Sequence, residues 1–176
     1  MRNLLALAVL ALSSTPVCAD DSRITWMDLR YANVARQGLE PSCAAASVVT
    51  ILNSQFDEEL DEFEVWTAYV LALNEAEQAV ASDQGLSVAD IVQLVAGLGY
   101  RAYPVEIDLL ELDRVDHPAI VYIERDGAQA FRHFAVFDGI DGQRVLLRDP
   151  SLGNRRVGVE TFMRQWTGYA IFIDRL

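Results

Sequence analysis

The sequence predicts a single α+β domain, and three observations carry that expectation. The chain has 176 residues, a length that suits one hydrophobic core. It is 52% hydrophobic and 23% charged with mean hydropathy +0.15, which excludes a disordered or low-complexity chain. Apolar residues recur at helical spacing in the first half and alternate with polar ones in the second, so helices and strands are segregated rather than interleaved.

The first 19 residues read as a targeting segment. Arg2 precedes an apolar run from Leu4 to Leu12, Ser13-Ser14-Thr15-Pro16 breaks it, and Val17-Cys18-Ala19 offers a small-residue cleavage site. The run is shorter than the roughly 20 residues that a bilayer span requires, and no other stretch of the chain is long and apolar enough to cross a membrane. Bulky Val17 argues against a lipid anchor on Cys18. The expectation is therefore a signal peptide over 1–19 and a mature domain over 20–176, exported to the periplasm or secreted.

Within that domain the stretch to about Arg36 reads as irregular. A helix is expected to begin at Pro41-Ser42-Cys43, with Ser42 as cap and Ala45, Val48, Val49 and Leu52 on its apolar face. A second helical region is expected from Asp61 to Ala81, with Phe63, Trp66, Val70 and Leu73 on one face. Its acidic approach, Asp57–Glu64, reads as a solvated helix start. A third helix begins at the capping box Ser87-Val88-Ala89-Asp90 and carries Val88, Ile91, Val92, Val95 and Leu98. Strands are expected over 100–106, 119–124, 132–140 and 143–149, the last two joined at Asp141-Gly142, a hairpin signal. A turn over 150–154, a short helix near 159–165 and a strand over 169–174 complete the chain.

Charge narrows the function classes. Fourteen basic residues, all arginine, stand against 26 acidic ones, a net charge of −12. Loss of residues 1–19 removes one arginine and no acid, leaving −13. Binding to nucleic acid or to an anionic membrane surface needs a basic patch, and none is present. No GxxxxGK[ST] pattern occurs, so no ATP site is expected. One mature cysteine and two separated histidines make no zinc pattern, and neither metal nor cofactor is expected.

Cys43 is the one cysteine of the expected mature chain, an unpaired thiol in a protein bound for oxidising surroundings. A buried structural cysteine is the bland reading. Its place in the first turn of a helix favours the thiolate, because the helix N-terminus carries partial positive charge and unpaired N–H groups. The same N–H groups can hold a developing oxyanion. Of the two histidines, His117 precedes Pro118 in a loop. His133 lies in an apolar strand on the face of Phe131, Ala135 and Phe137, where an imidazole needs a partner. A hairpin tight at Asp141-Gly142 places His133 opposite position 150, beside Asp149, whose carboxylate can orient the ring. Asp149 can equally cap the turn before Pro150. Gln37, six residues before Cys43, carries an amide able to donate to an oxyanion.

Gln37, Pro41-Ser42-Cys43-Ala44-Ala45-Ala46-Ser47, Gly85-Leu86-Ser87-Val88-Ala89-Asp90, Leu98-Gly99-Tyr100, His117-Pro118-Ala119-Ile120-Val121, His133-Phe134-Ala135-Val136 and Arg148-Asp149-Pro150-Ser151 with Gly153 together resemble the bacteriocin-processing, double-glycine-leader cysteine peptidases. The resemblance spans Arg36 to Ile173. It implies a papain-like fold, Cys43 as nucleophile, His133 as general base, Asp149 as its orienting partner and Gln37 as oxyanion-hole donor. The implied partner is a polypeptide substrate, with a secretion apparatus such as that of functional-amyloid export nearby. Two departures stand out: the family usually has glycine after the nucleophile where this chain has Ala44, and its classical members are fused to a membrane exporter with an ATPase, so that the chain resembles the stand-alone exported branch. Two other readings share these residues, an acyl transferase using the same triad and a module that binds a leader without cutting it.

Overall fold

The computed structural model of the protein describes residues 23–125 and 131–176. The expected signal peptide and Cys18 lie outside the described residues, as does the side chain of Phe131. The order is α1 (Trp26–Arg30), a 3-10 turn (Glu40–Ser42), α2 (Cys43–Phe56), α3 (Glu62–Ala72), α4 (Glu75–Gln84), α5 (Val88–Gly97), β1 (Tyr100–Glu106), α6 (Leu109–Arg114), β2 (Ala119–Arg125), β3 (Phe131–Asp141), β4 (Arg144–Asp149), β5 (Gly153–Gly158), α7 (Val159–Met163) and β6 (Trp166–Arg175). The strands form one six-stranded sheet in the order β1-β6-β2-β3-β4-β5, with every neighbouring pair antiparallel.

α2 is the central helix. Every residue from Cys43 to Leu52 is buried, so it is enclosed on all sides rather than amphipathic. The small side chains of Ala44, Ala45 and Ala46 let neighbouring elements approach its first turn closely. Strand alternation then divides the sheet's residues between two cores. Ile120, Phe134, Val136 and Ile171 face α2, α3 and α5. Ala119, Val121, Ala135, Phe137, Val145, Leu147 and Ala170 face α6, α7 and Trp166.

Several expectations change here. The helical region over 61–81 is two helices: Leu73 turns extended (ψ 159°) and Asn74 caps α4 with Glu77 in a capping box. Phe63 points outward and is 56% exposed, while Trp66 is buried as expected and Val65 joins it on the inward face. The acidic run is not wholly solvated, since Glu62 is buried and accepts the Gly38 N–H at 3.1 Å. α1, α6 and β5 were not foreseen. The hairpin connection is Gly142-Gln143, because Asp141 pairs with Arg144, and the register shifts again between Phe137 and Gly139.

Leu52→Ala should destabilise the fold by about 2–5 kcal/mol, because Leu52 is fully buried in the core around α2. Leu71→Ala, at a position 70% exposed, should change stability by about 0.5 kcal/mol or less. Urea denaturation of both variants checks the contrast.

Candidate active site

Cys43 opens α2, and the path of the chain into it is fixed from two sides. Ser42 does not cap the helix. Its hydroxyl turns back, donates to the Leu39 carbonyl at 2.9 Å and accepts the Leu39 N–H at 3.3 Å, which closes the 3-10 turn. Gly85, between α4 and α5, presses on Pro41 from the other side. Its φ is +76° with ψ −170°, and a Cβ there would sit 2.9 Å from the Pro41 carbonyl oxygen. Only glycine fits that conformation without strain. The Ala44 methyl is fully buried in the core around α2 and is not among the residues that line the cleft described below.

His133 and Asp149 meet through the β3–β4 ladder. Its last pair is Val136 with Arg148, so Asp149 lies one step further along, across from Ala135, on the face that Ala135 shares with His133. The two side chains are therefore diagonal neighbours, within reach of each other. Expectation had placed them side by side through a tighter turn. The shifted turn moves the register by two residues and the bulge takes one back, and the net slip of one residue turns Asp149 from the face of Phe134, where the tighter turn would put it, to the face of His133.

The His133 Nε2 lies 2.9 Å from Asp149 Oδ1, and both side chains are almost wholly buried. The Cys43 thiol hydrogen-bonds to the same imidazole. With Nε2 held by the carboxylate, Nδ1 is the nitrogen left for sulfur. Burial alone would push the imidazole toward its neutral form. The bonds to Asp149 and Cys43 outweigh burial and raise its pKa to about 9. Asp149 is shifted the opposite way. Burial works against its charge, but His133, Arg155 and the Ser151 N–H together hold its carboxyl below the usual range. The N–H groups of Ser151 and Leu152 both donate to Oδ1, at 2.9 and 3.1 Å. Asp149 thus contacts the His133 ring and caps the turn that follows it at the same time.

Gln37 sits beside this group. Its Oε1 accepts the Ser151 hydroxyl at 2.7 Å, and its backbone N–H donates to the Pro150 carbonyl at 3.1 Å. Its Nε2 donates to the carbonyls of Leu39 and Glu40, each at 3.1 Å. Gln37 therefore ties the turn after Asp149 to the turn before Cys43. His117 is exposed in its loop and takes no part.

Cys43 opens into a cleft of 630 Å³. Glu40 and Pro41, Val80 with the segment from Ser82 to Val88, and Tyr122, Arg132 and Phe134 line it. Tyr122 and Phe134 stack with centroids 4.9 Å apart. Burial and a hydrogen bond to Glu124 push the Tyr122 phenol up to about 12, so it remains neutral at physiological pH. Arg155, which reaches Asp149 Oδ2 at 2.9 Å, was not foreseen from the sequence. The signal was present: a short turn after Asp149 pairs Asp149 with Gly153 and Leu147 with Arg155, which places Arg155 diagonally beside Asp149.

A family model, the peptidase C39 family, matches residues 31–175. The chain belongs to that family. Its members are cysteine peptidases, and the papain-like fold expected from the sequence is the one seen here. Two solved structures share it. The peptidase domain of Streptococcus ComA, a bifunctional ABC transporter of a quorum-sensing pathway, superposes with a TM-score of 0.65 at 20% identity, covering 81% of this chain and 98% of that one. A double-glycine-motif protease from an AMS/PCAT transporter, solved with its leader peptide, superposes with a TM-score of 0.65 at 21% identity over 81% and 91% of the two chains. In sequence, the chain is 32% identical over 139 residues to the probable functional amyloid protease FapD of Pseudomonas aeruginosa, a match that covers 79% of this chain and 59% of that relative.

Two outcomes follow from this geometry. Because the folded pKa of His133 is raised from 6.5 to about 9, its contribution to stability is complete below pH 6.5 and is lost as pH rises through about 9. Denaturation across that interval should show falling stability in the native protein and a flatter curve in His133→Gln. Gly85→Ala should cost about 1–3 kcal/mol of stability and slow alkylation of Cys43 by displacing Pro41, read by thermal melting and by mass spectrometry.

Proposed function

We propose that this chain is an exported cysteine peptidase that cuts a leader or a secreted polypeptide, using Cys43 as nucleophile, His133 as general base and acid, Asp149 as the group that orients His133, and Gln37 as an oxyanion donor. The observation that supports it best is the continuous hydrogen-bonded series Cys43–His133–Asp149 at the start of a buried helix, opening on a cleft.

In this mechanism the thiol proton rests on His133, whose raised affinity for it is supplied by Asp149. The Cys43 sulfur attacks the scissile carbonyl carbon and the carbonyl π electrons move to oxygen. The Cys43 backbone N–H and the Gln37 amide hold that oxyanion, and Gln37 exchanges one of its two backbone carbonyl partners for it. Such a donor is worth about 3–4 kcal/mol elsewhere. The tetrahedral species collapses as His133 protonates the departing amine, leaving a thioester on Cys43. His133 then takes a proton from water, the hydroxide attacks the thioester, and the carboxylate product leaves with the thiol restored.

The substrate reading draws on relatives. A leader peptide occupies the solved double-glycine protease, and the curated relative is named for functional amyloid. Small residues before the scissile bond, such as Gly-Gly, in a secreted amyloid-type polypeptide are the proposed substrate class. The periplasm is the proposed site of action, and fractionation of cells expressing the full chain tests that placement.

Mature protein incubated with a leader-bearing secreted polypeptide should yield a single new N-terminus after small residues. Cys43→Ala and His133→Ala should each lower kcat by about a thousandfold or more, and Asp149→Ala by less, because Asp149 acts through His133. Retention of biological function in Cys43→Ala would instead favour a leader-binding module. Diversion of the thioester to added amines in preference to water would favour acyl transfer.

A further inference from the structure

Asp149 is 1% exposed, and its two oxygens are treated differently. Oδ1 takes His133 Nε2 and the N–H groups of Ser151 and Leu152. Oδ2 takes the Arg155 guanidinium at 2.9 Å. Arg155 reaches it because Gly153, its neighbour two residues back on β5, stands directly across from Asp149 and has no side chain to block the diagonal. Gly153 is irreplaceable there, since a Cβ would lie 2.4 Å from the Arg30 carbonyl oxygen.

Of the other charged and titratable groups around the pair, Glu40, Asp83, Asp90 and Arg132 line the cleft beside Cys43, and none of these is bonded to Asp149; the rest are engaged elsewhere. On the N-terminal segment, Arg30 lies over the Trp26 ring and donates to the Leu152 carbonyl, while Tyr31 donates to the Ser151 carbonyl. Arg148 bonds to Ser54 and Asp138, and Arg156 pairs with Asp141. On β2, Tyr122 is bonded to Glu124. From α2, Cys43 faces His133. Among the described residues, the cation that touches the triad carboxylate is Arg155.

We propose that Arg155 is a positioning residue that completes an alternating row of charges, sulfur negative, imidazolium positive, carboxylate negative, guanidinium positive, and thereby fixes the Asp149 carboxylate by its outer oxygen while neutralising the buried site. The inference rests on the triad reading above. Without Arg155, three charges remain and the row itself carries a net −1 in the state ready for attack. Burying that excess charge is costly. Removing a cation also makes every nearby site hold its proton more tightly, so the sign of the effect is fixed in advance.

The test needs no substrate. The rate of Cys43 alkylation by iodoacetamide, read by mass spectrometry of the Cys43 peptide across pH 3–11, has a lower inflection where the sulfur–imidazolium pair forms and an upper one where the imidazolium loses its proton. In Arg155→Gln both inflections should move to higher pH by about 0.5–1 unit, and in Arg155→Lys they should return to the native positions. Arg155→Met, which keeps the apolar stem, takes the place of Arg155→Gln if the latter does not fold. Two native inflections that stay unmoved, or move down, in the uncharged variants would overturn the role of Arg155 and leave the triad standing. A single ordinary thiol titration in the native protein would overturn the triad itself, and the role of Arg155 with it.

Discussion

A carboxylate that is 1% exposed must either lose its charge or be surrounded by donors, and Asp149 is surrounded. An imidazole, two backbone N–H groups and a guanidinium reach its two oxygens. Each comes from a different piece of chain: β3, the turn after β4, and β5. The meeting of these three pieces sets the position of the His133 ring, and the ring in turn sets where sulfur must lie. The order of the sheet serves this end. Antiparallel β3, β4 and β5 lie side by side, so residues far apart in sequence converge on one point without any long connection.

The same turn is gripped from outside by the N-terminal segment. Tyr31 donates to Ser151, Arg30 to Leu152, Asn154 to the Ala32 carbonyl, and the Gln37 N–H to Pro150. That segment continues through Gln37 into the 3-10 turn and then Cys43. Chain that would otherwise be a loose leader into the first long helix is thereby sewn to the turn that carries the acid. Gln37 is bonded at both ends, to Ser151 on one side and to the Leu39 and Glu40 carbonyls on the other. A shift in either turn is therefore felt by the other. Glu62 adds a third tether by accepting the N–H of Gly38, the residue next to Gln37.

What could be read from the sequence follows the strength of each local signal. α2 and α5 carry long apolar periodicity, and both appear where expected. The nearness of His133 and Asp149 was legible because a hairpin brings the two strand ends together; the shared face was not, since it depends on a turn that slips the register by two residues and a bulge that takes one back. β5 was not legible: Gly-Asn-Arg-Arg-Val-Gly has no apolar alternation, and it is a strand because β4 offers it an open edge. Arg155 was missed with it. The break between α3 and α4 was hidden because a run of good helix formers continues across Leu73, and only the Asn74 capping box marks a new start. Glu62 was lost in a run of acids, since composition cannot tell which one carboxylate in a row turns inward.

The balance of forces at His133 explains why so much structure converges on one acid. An imidazolium that is 4% exposed loses most of its hydration, and that loss taken alone would make the ring neutral. In the proposed mechanism such a ring could accept the thiol proton only weakly, and Cys43 would remain one more small apolar group of the core. The carboxylate reverses this. Its own charge must then be supported against the same burial, and backbone N–H groups and a partly exposed arginine supply that support. Each charge in the row is stabilised by the next, and the last one reaches solvent, since about a third of the Arg155 side chain is exposed. Burial makes the interactions strong, and contact with water at one end keeps the row from being an isolated buried charge.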